Sequence, residues 1–277
     1  MPSPRNLLSN HIHTQNPHMP KVTHSVEHHI GTIVFDQTAK FNAMTLDMWR
    51  GLVISMQALV DDPTVRVVVL QGAGDKAFIS GADISQFGAE RSGAAQYTYD
   101  EAVEAAYACV VNCPKPTIAK IQGICMGGGL GLALYADIRI GADDARMRMP
   151  AARLSVGYRY DGIARMVEVL GAANAADLFF SARIVRAEEA HQMGFFKEVV
   201  AKAALDQVVQ AYAAQIAENA PLSIAAAKRA MIELRQTERA RDLSAVQTMV
   251  DACFTSADYV EGREAFMTKR APQFRGY

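Results

Sequence analysis

Three consecutive glycines stand at the centre of the segment Ile121-Gln-Gly-Ile-Cys-Met-Gly-Gly-Gly-Leu-Gly-Leu-Ala-Leu-Tyr-Ala-Asp137, between a strand-like run and a helix-like run. Glycine adopts backbone dihedrals that other residues avoid, and it lets a ligand approach the backbone closely. The first N–H groups of a helix lack intrahelical acceptors and favour negative charge. Taken alone, the segment is compatible with an oxyanion site, a phosphate-binding loop, or a turn that only packs a helix against a strand.

A second strand runs into a glycine-broken loop at Val65-Arg-Val-Val-Val-Leu-Gln-Gly-Ala-Gly-Asp-Lys-Ala-Phe-Ile-Ser-Gly-Ala-Asp-Ile84. Two such strand-to-turn segments can supply two converging backbone N–H donors. Together they resemble the enoyl-CoA hydratase/isomerase family, also called crotonases. In that family the oxyanion hole takes one backbone N–H from each loop.

Three further segments resemble the same family, and their order and spacing agree with it from about residue 24 to the end. They are similar to its early CoA-binding turn, a later helix and its C-terminal signature: Asp36-Gln-Thr-Ala-Lys-Phe-Asn-Ala-Met44, Ala187-Glu-Glu-Ala-His-Gln-Met-Gly194 and Glu261-Gly-Arg-Glu-Ala-Phe-Met-Thr-Lys-Arg-Ala-Pro-Gln-Phe274. The resemblance implies an α/β (α+β) fold, with a crotonase-like spiral core of repeated strand-strand-helix units and a C-terminal helical trimerisation region. It also implies a homotrimer or a dimer of trimers, although the last helices could instead cover their own sheet.

We expect three regions along the chain. Residues 1–22 are rich in Asn, Pro, His and Ser without periodicity, which predicts a disordered tail. A metal site formed by the tail histidines His11, His13 and His18 is the less favoured interpretation. Residues 23–200 are expected to form the crotonase core, and residues 201–277 the C-terminal helical region.

Local patterns predict individual elements of the core. Ile30-Gly31 is expected to be the turn of a hairpin, and the spacing of apolar residues predicts a helix over Thr45–Val60. Val65–Leu70 and Thr117–Ile121 are expected to be strands covered on both faces. After Ala173 strand signals nearly vanish, and further helices are expected at Ala201–Ala220 and Leu222–Leu234.

Composition excludes several classes of protein. The 277 residues, half of them hydrophobic, allow one large domain or a core with a helical appendage, and a net charge of −1 argues against a nucleic-acid partner. Four cysteines lack metal-site or disulfide spacing, so we expect reduced thiols and no metal; they are Cys109, Cys113, Cys125 and Cys253. Without a membrane span or a signal peptide, a cytoplasmic location is expected.

The resemblance assigns roles to residues of this chain. The backbone N–H groups of Ala82 and Gly128 would be the oxyanion donors, so their side chains need carry no chemistry. Residues assigned to CoA binding are Lys40, Ser80, Gly81, Asp83, Phe266 and Lys269, of which the last two would reach a neighbouring subunit's CoA. The less favoured interpretation of Lys40, Phe266 and Lys269 is that they are ordinary solvated lysines and a core phenylalanine. CoA, as part of an acyl-CoA substrate, is the only cofactor expected.

Two positions depart from the family's hydratase pattern. A hydratase of this family uses two glutamates to activate water and move a proton across the double bond, and the matching positions here are Gly131 and Ala151. Neither side chain can transfer a proton. Standard two-glutamate hydration is therefore not expected, and glycine at position 131 is expected to enlarge the pocket.

The segment after Ala151 offers other candidates. Tyr158 is similar to a tyrosine of the family's decarboxylase branch that orients the substrate carboxylate, although that branch has histidine where this chain has Ala82. Arg159 could hold such a carboxylate. Asp161 is interpreted as the N-cap of a helix over Gly162–Leu170 or as an acid/base residue.

We therefore expect an acyl-CoA thioester enzyme that stabilises an enolate between two N–H groups. The alternatives are a decarboxylase-like enzyme using Tyr158 and Asp161, or a CoA-ester-binding family member with little catalysis. The acyl group is not predicted, because Gln86–Tyr107 has no interpretable pattern; Phe87, Tyr97 and Tyr99 could line the acyl pocket or cover the core.

Overall fold

The computed structural model describes residues 20–83 and 94–277. The strands are β1 (Lys21–Glu27), β2 (Ile30–Asp36), β3 (Val67–Gly72), β4 (Ala77–Ile79), β5 (Thr117–Ile121), β6 (Ile124–Met126), β7 (Ile138–Ala142), β8 (Arg146–Arg148), β9 (Val185–Arg186) and β10 (Glu198–Val200). The α-helices are α1 (Leu46–Asp61), α2 (Ala94–Val111), α3 (Gly128–Tyr135), α4 (Tyr160–Leu170), α5 (Ala172–Ser181), α6 (Ala187–Gln192), α7 (Leu205–Ala217), α8 (Pro221–Leu234), α9 (Leu243–Thr255) and α10 (Ala257–Thr268).

The strands form two sheets that share a repeating unit. The larger sheet has the order β1-β2-β3-β5-β7-β10, and the smaller one has the order β4-β6-β8-β9. In three successive pairs, β3/β4, β5/β6 and β7/β8, the first strand joins the larger sheet and the second joins the smaller one. The neighbours β3–β5, β5–β7, β4–β6 and β6–β8 are all parallel. The predicted strand-strand-helix repeat thus winds between two sheets.

The hairpin turn lies two residues earlier than predicted. β1 and β2 pair from Lys21–Asp36 to Glu27–Ile30, and the turn consists of His28 and His29, with φ of 49° and 67°. Two-residue hairpin turns favour positive φ at both central positions because that conformation matches the strand twist. Gly31 is instead a strand residue, whose missing Cβ would lie 2.9 Å from the Leu59 side chain. The predicted turn at Ile30-Gly31 was therefore wrong.

The larger sheet is covered on both faces, as the unbroken apolar pattern of β3 predicted. Val68 and Leu70 point into the main core between the sheets, whereas Val67 and Val69 belong to a second cluster on the opposite face. That second cluster is closed by α7, through Leu205 and other apolar residues of its inner side. Helix α7 therefore covers its own sheet.

The structure also shows where the described chain begins and which side chains its last two helices leave exposed. Strand β1 begins at Lys21, inside the region predicted as a tail, and residues 1–19, with the histidines His11, His13 and His18, lie outside the described residues. At the other end, α9 and α10 leave apolar side chains exposed: Leu243, Phe254, Val260, Phe266 and Met267. Among the described helices, none combines the length and apolar character needed to cross a membrane.

Candidate active site

The two glycine-containing loops lie against each other. A Cβ built on Gly127 would lie 3.7 Å from the Gly81 Cα, and one built on Gly81 would lie 3.4 Å from the Met126 carbonyl oxygen. Gly81 has a φ of 119° and Gly127 a φ of 52°. Both values belong to the region that glycine adopts readily and other residues rarely do. Glycine at both positions therefore allows the loop after β4 and the loop after β6 to meet.

The residue that follows each of these glycines carries a predicted oxyanion donor. Met44 N–H donates to the Gly81 carbonyl at 2.8 Å, and Asp83 N–H donates to the Met44 carbonyl at 2.9 Å. In this parallel-bridge pattern the N–H of the intervening Ala82 points away from Met44. Gly128 begins α3, where N–H groups have no intrahelical acceptor. Within residues 20–83 and 94–277, neither N–H donates a hydrogen bond.

Four of the predicted CoA-binding residues come together beside the first loop. Lys40 Nζ and the Asp83 carboxylate form an ion pair of 2.8 Å, in which the Asp83 side chain is buried. Ser80 Oγ donates to the Lys40 carbonyl at 3.1 Å. Gln37 Nε2 donates to the Ala43 carbonyl at 2.7 Å and approaches Asp83. These contacts fix the backbone on both sides of Ala82.

Phe266 and Lys269 are not brought into this group within one chain. The Phe266 side chain is 82% exposed on α10, and Lys269 follows the last turn of that helix in a left-handed conformation. Helix α10 packs against α9. A role at a CoA site would therefore require a second subunit, and it stays a prediction.

Helix α3 is held by two arginines at its carboxyl end. Arg139 Nη1 donates to the Ala136 carbonyl at 2.8 Å, and Arg165 Nε donates to the Leu134 carbonyl at 2.6 Å. Cations at this end complement the helix dipole and satisfy carbonyls that lack intrahelical donors. Burial of the guanidinium lowers the pKa of Arg139 to about 10, which leaves it charged at neutral pH. The amino end of α3, with Gly128, is thereby held in place next to Gly81.

The space beside Gly131 is filled by two tyrosine hydroxyls. A Cβ on Gly131 would overlap the Tyr107 hydroxyl oxygen and lie 3.0 Å from that of Tyr158. The expectation that glycine at this position enlarges the pocket was therefore wrong, because side chains from α2 and from the segment before α4 occupy the room. Gly131 lies one helical turn after Gly128 on α3, so both hydroxyls lie on the side of the predicted donor.

Tyr107 was not predicted from the sequence. Its hydroxyl donates to the Gly128 carbonyl at 2.9 Å, and its ring stacks on Tyr135 at 5.0 Å and meets Trp49 edge-on at 5.7 Å. The Tyr107 position on α2 is separated from Gly131 by two strands and a turn, so no local motif marks it. The contact arises from tertiary packing alone.

Tyr158 is turned inward beside Tyr107. Its ring meets Phe179 edge-on at 5.7 Å, and its hydroxyl is hydrogen-bonded to that of Tyr107. Burial, with a smaller contribution from Tyr135, raises the pKa of Tyr158 to about 12, although the hydrogen bond from Tyr107 opposes the shift. The Tyr158 hydroxyl is therefore protonated at neutral pH.

Position 151 also adjoins the glycine turn. Ala151 is buried at the start of a short 3₁₀ helix, Ala151–Leu154. The preceding Pro150 has ring carbons 3.9 Å from a Cβ built on Gly127. Positions 131 and 151 thus both lie near the predicted oxyanion donors, and neither residue carries an ionisable group.

The predicted capping role of Asp161 was wrong. Helix α4 begins at Tyr160, its N-cap is Arg159, and Asp161 lies exposed in the first helical turn. The helix starts earlier than expected because the chain enters it directly after the inward-facing Tyr158. Arg159 forms an ion pair with Glu104 of α2, so it is already engaged by a carboxylate of the protein.

The remaining candidates have clear positions. Tyr99 is buried and its hydroxyl accepts a hydrogen bond of 2.9 Å from Trp49 Nε1, whereas Tyr97 is 72% exposed. Phe87 and Gln86–Gly93 lie outside the described residues.

The four cysteines are free thiols, and burial raises the pKa of Cys109 to about 12. Among the described residues there is no cluster of three His, Cys, Asp or Glu side chains suited to a metal ion.

Comparison with known proteins gives consistent matches over most of the chain. The family model described as enoyl-CoA hydratase/isomerase matches residues 25–277. A crotonyl-CoA hydratase of Syntrophomonas wolfei is 29% identical over 248 residues, which are 90% of this chain and 95% of that protein. A carnitinyl-CoA dehydratase of Escherichia coli is 34% identical over 220 residues, or 78% of this chain and 84% of that one.

Solved structures show the same fold. A crystal structure of an enoyl-CoA hydratase/carnithine racemase from Magnetospirillum magneticum superimposes with a TM-score of 0.87 at 34% identity, covering 94% of this chain and 97% of that one. The crystal structure of an enoyl-CoA hydratase from Bacillus anthracis superimposes with a TM-score of 0.84 at 27% identity, and the match covers 93% of this chain and 100% of that one. The fold class predicted from the sequence is confirmed.

Proposed function

Because the chain belongs to the enoyl-CoA hydratase/isomerase family, whose members act on acyl-CoA substrates, we propose that it stabilises a thioester enolate between the N–H groups of Ala82 and Gly128. One observation carries the proposal: the loops bearing these donors touch at Gly81 and Gly127. The two N–H groups would donate hydrogen bonds to the thioester oxygen as negative charge develops on it. Removing one such donor typically lowers the rate on the order of a hundredfold or more.

The CoA portion would bind along the first loop. Lys40, whose side chain is half exposed and paired with Asp83, would supply a positive charge to a CoA phosphate. Ser80 and Gly81 would line the approach with backbone rather than with large side chains. The reacting acyl portion of the substrate would then enter between the loop that follows β4 and helix α3.

Hydration by the usual two glutamates is not part of this proposal. Water must lose a proton to become a nucleophile, and this requires a base near the double bond. Gly131 and Ala151 offer none, and the hydroxyl of Tyr158 is protonated at neutral pH. We therefore expect little activity towards crotonyl-CoA.

A decarboxylase-like reaction is the second candidate, favoured by the inward position of Tyr158. Loss of CO₂ from a malonyl-type thioester generates the enolate without a base. Asp161, exposed in the first turn of α4, is the acid/base candidate of this alternative. Arg159 could hold the substrate carboxylate only by exchanging Glu104 for it; full activity of Arg159→Met on such substrates would contradict that role.

Self-association into a trimer or a pair of trimers remains a proposal. It is supported by the exposed apolar residues of α9 and α10, among them Phe254, Val260 and Phe266. Burial of such residues between subunits would remove a large apolar area from water. Sedimentation equilibrium would test it, with a mass of one 30.1 kDa chain contradicting it.

A mass-spectrometric screen tests the function. Purified protein is incubated with short, branched, aromatic and dicarboxylic acyl-CoA esters, and hydration, double-bond migration and CO₂ loss are followed together. Turnover of any acyl-CoA that is abolished by Gly128→Pro supports the proposal. Tight binding of acyl-CoA without turnover would favour a CoA-ester-binding protein instead.

A further inference from the structure

The two peptide groups that meet at Gly128 are held by different partners. The predicted donor N–H of Gly128 shares its peptide group with the Gly127 carbonyl, which accepts a hydrogen bond of 2.9 Å from the Gly131 N–H. The Gly128 carbonyl belongs to the next peptide group and accepts a hydrogen bond of 2.9 Å from the Tyr107 hydroxyl. Because the N–H and C=O of a trans peptide point in opposite directions, the bond to the Gly127 carbonyl directs the Gly128 N–H outwards from the amino end of α3.

These two hydrogen bonds restrict a residue that has no side chain of its own to restrict it. Glycine rotates more freely about its backbone bonds than any other residue. Rotation at the Gly128 Cα would turn one adjoining peptide group relative to the other, and with it the predicted donor. The bond from Gly131 belongs to α3 itself, whereas the bond from Tyr107 comes from α2. Tyr107 therefore fixes the Gly128 backbone against a separate element of the fold.

The ring of Tyr107 is itself held at a definite place along α3. It stacks on the ring of Tyr135 at 5.0 Å and meets the ring of Trp49 edge-on at 5.7 Å. Gly128 is the first residue of α3 and Tyr135 is the last. The hydroxyl of Tyr107 thus contacts one end of the helix while its ring contacts a side chain from the other end.

Two further contacts support this arrangement. Trp49 Nε1 donates to the Tyr99 hydroxyl at 2.9 Å, and Tyr99 lies two turns before Tyr107 on the same face of α2. The hydroxyl of Tyr158 is hydrogen-bonded to that of Tyr107, whose own proton is directed to the Gly128 carbonyl. A hydroxyl that accepts one hydrogen bond donates a stronger one. The bond from Tyr107 to Gly128 is therefore reinforced at its donor.

We propose that Tyr107 is the positioning residue of the predicted oxyanion site: its hydroxyl holds the Gly128 backbone so that the Gly128 N–H points at the thioester oxygen. The inference rests on the proposed function, since it requires that oxygen to lie between Ala82 and Gly128. It goes further by assigning the direction of one donor to a side chain on α2, outside both glycine-containing loops.

The expected effect follows from the geometry of hydrogen bonds. A hydrogen bond weakens steeply as its donor turns away from the acceptor. A donor that is free to turn would polarise the thioester carbonyl less, while the remaining contacts of a bound CoA ester would be unchanged. Loss of the Tyr107 hydroxyl should therefore alter the carbonyl bond of a bound thioester much more than it alters affinity.

The test uses acetyl-CoA labelled with ¹³C at its thioester carbonyl, whose stretching frequency is measured in the bound state by infrared spectroscopy. Tyr107→Phe keeps the ring and removes the hydroxyl. It should lose on the order of half of the shift to lower wavenumber that the wild-type protein produces. The dissociation constant of acetyl-CoA, measured by calorimetry, should rise less than about threefold.

Tyr99→Phe is the matched control. It removes another buried hydroxyl from the same face of α2 and leaves the bond between Tyr107 and the Gly128 carbonyl in place. Both variants should unfold at lower urea concentration than the wild-type protein, because each loses a buried hydrogen bond. Only Tyr107→Phe should lose a large part of the carbonyl shift, which separates positioning of the donor from general loosening of α2.

Two other variants test the same step without relying on Tyr107→Phe alone. Gly131→Ala keeps the N–H at position 131, but its Cβ overlaps the Tyr107 hydroxyl and must displace it. This variant should lose a similar part of the shift, and it carries the test if Tyr107→Phe does not fold. In a Gly128→Pro background, adding Tyr107→Phe should leave the carbonyl frequency unchanged, because the N–H that Tyr107 positions is already absent.

The outcomes separate this inference from the proposed function. A full carbonyl shift in Tyr107→Phe or Gly131→Ala, or an equal loss in Tyr99→Phe, would overturn the role of Tyr107 while the wild-type shift still supports the oxyanion site. An additional change on adding Tyr107→Phe to Gly128→Pro would also overturn it. Absence of any shift in the wild-type protein would contradict the oxyanion site itself, and the inference with it.

Discussion

Gly81 and Gly127 meet where the two predicted donor loops cross, with 3.7 Å between the Gly81 Cα and the Cβ position of Gly127. Neither sheet contains this contact, because it lies in the loops that follow β4 and β6. It links the packing of two parallel strands to the chemistry expected at Ala82 and Gly128.

The first prediction concerns the backbone of Gly127, which has φ 52° and ψ −121°. Alanine there should lower the free energy of unfolding by about 1–3 kcal/mol, the cost of a disfavoured backbone conformation, and should abolish measurable turnover. Gly157→Ala is the control, since among the described residues nothing lies within 4 Å of its Cβ position and its φ is not in the positive region. Urea unfolding and acyl-CoA turnover measure both effects. Equal behaviour of the two variants would show that the conformation of Gly127 is unimportant.

The second prediction separates the Gly128 N–H from the space around Gly128. Proline removes the N–H and is tolerated at the first position of a helix, so Gly128→Pro should lower kcat/KM on the order of a hundredfold or more. Gly128→Ala keeps the N–H and adds a methyl group 3.2 Å from Trp49 Cζ2, which requires only a small shift. It should therefore lose much less activity. A larger loss in the alanine variant would point to crowding instead of hydrogen bonding.

A third prediction concerns restoration of the glutamates. Gly131→Glu combined with Ala151→Glu should fail to raise hydration of crotonyl-CoA, because the new Cβ at position 131 overlaps the Tyr107 hydroxyl. Adding Tyr107→Ala removes that hydroxyl and should raise hydration above the level of the double variant. Rates are measured by loss of the enoyl absorbance. High activity of the double variant alone would mean that Tyr107 moves aside readily.

The fourth prediction concerns the attachment of α8 to the core. Lys228 Nζ donates to Asp137 and to the Lys115 carbonyl, both at 2.7 Å, and its side chain is only 6% exposed. Lys228→Met should lower the free energy of unfolding by roughly 2–3 kcal/mol, since it leaves Asp137 without its cation. The control Lys202→Met breaks an ion pair with Asp144 in which each side chain is about one-third exposed. This variant should lower the free energy of unfolding by less than about 1 kcal/mol. Similar losses in both variants, measured by urea unfolding, would contradict the assigned importance of Lys228.

The sequence predicted the parts of the site that depend on local chain geometry. Glycines after buried strands mark the two loops, and strand ends on a parallel sheet bring such loops to one edge. Local geometry thus predicted that the two loops could converge, whereas the resemblance to the family assigned the donor positions Ala82 and Gly128 and the role of Asp83. The ion pair between Lys40 and Asp83 was not expected, because the two residues are separated by a helix and two strands.

The parts that could not be predicted depend on side chains from distant elements. Absence of a side chain at Gly131 indicated empty space, whereas Tyr107 and Tyr158 fill it. The turn at His28 and His29 could not be predicted, because glycine takes positive φ more readily than histidine does and Gly31 stands close by in the sequence. Asp161 was misplaced because capping preferences alone did not locate the start of α4.

The most direct test of the account is the infrared spectrum of acetyl-CoA labelled with ¹³C at its thioester carbonyl and bound to the protein. Two N–H donors weaken the C=O bond, so the carbonyl stretch should move to lower wavenumber on binding to wild-type protein, and Gly128→Pro should reverse much of that shift. A bound thioester whose carbonyl frequency equals that in water, or whose shift is unchanged in Gly128→Pro, would contradict an oxyanion site at Ala82 and Gly128.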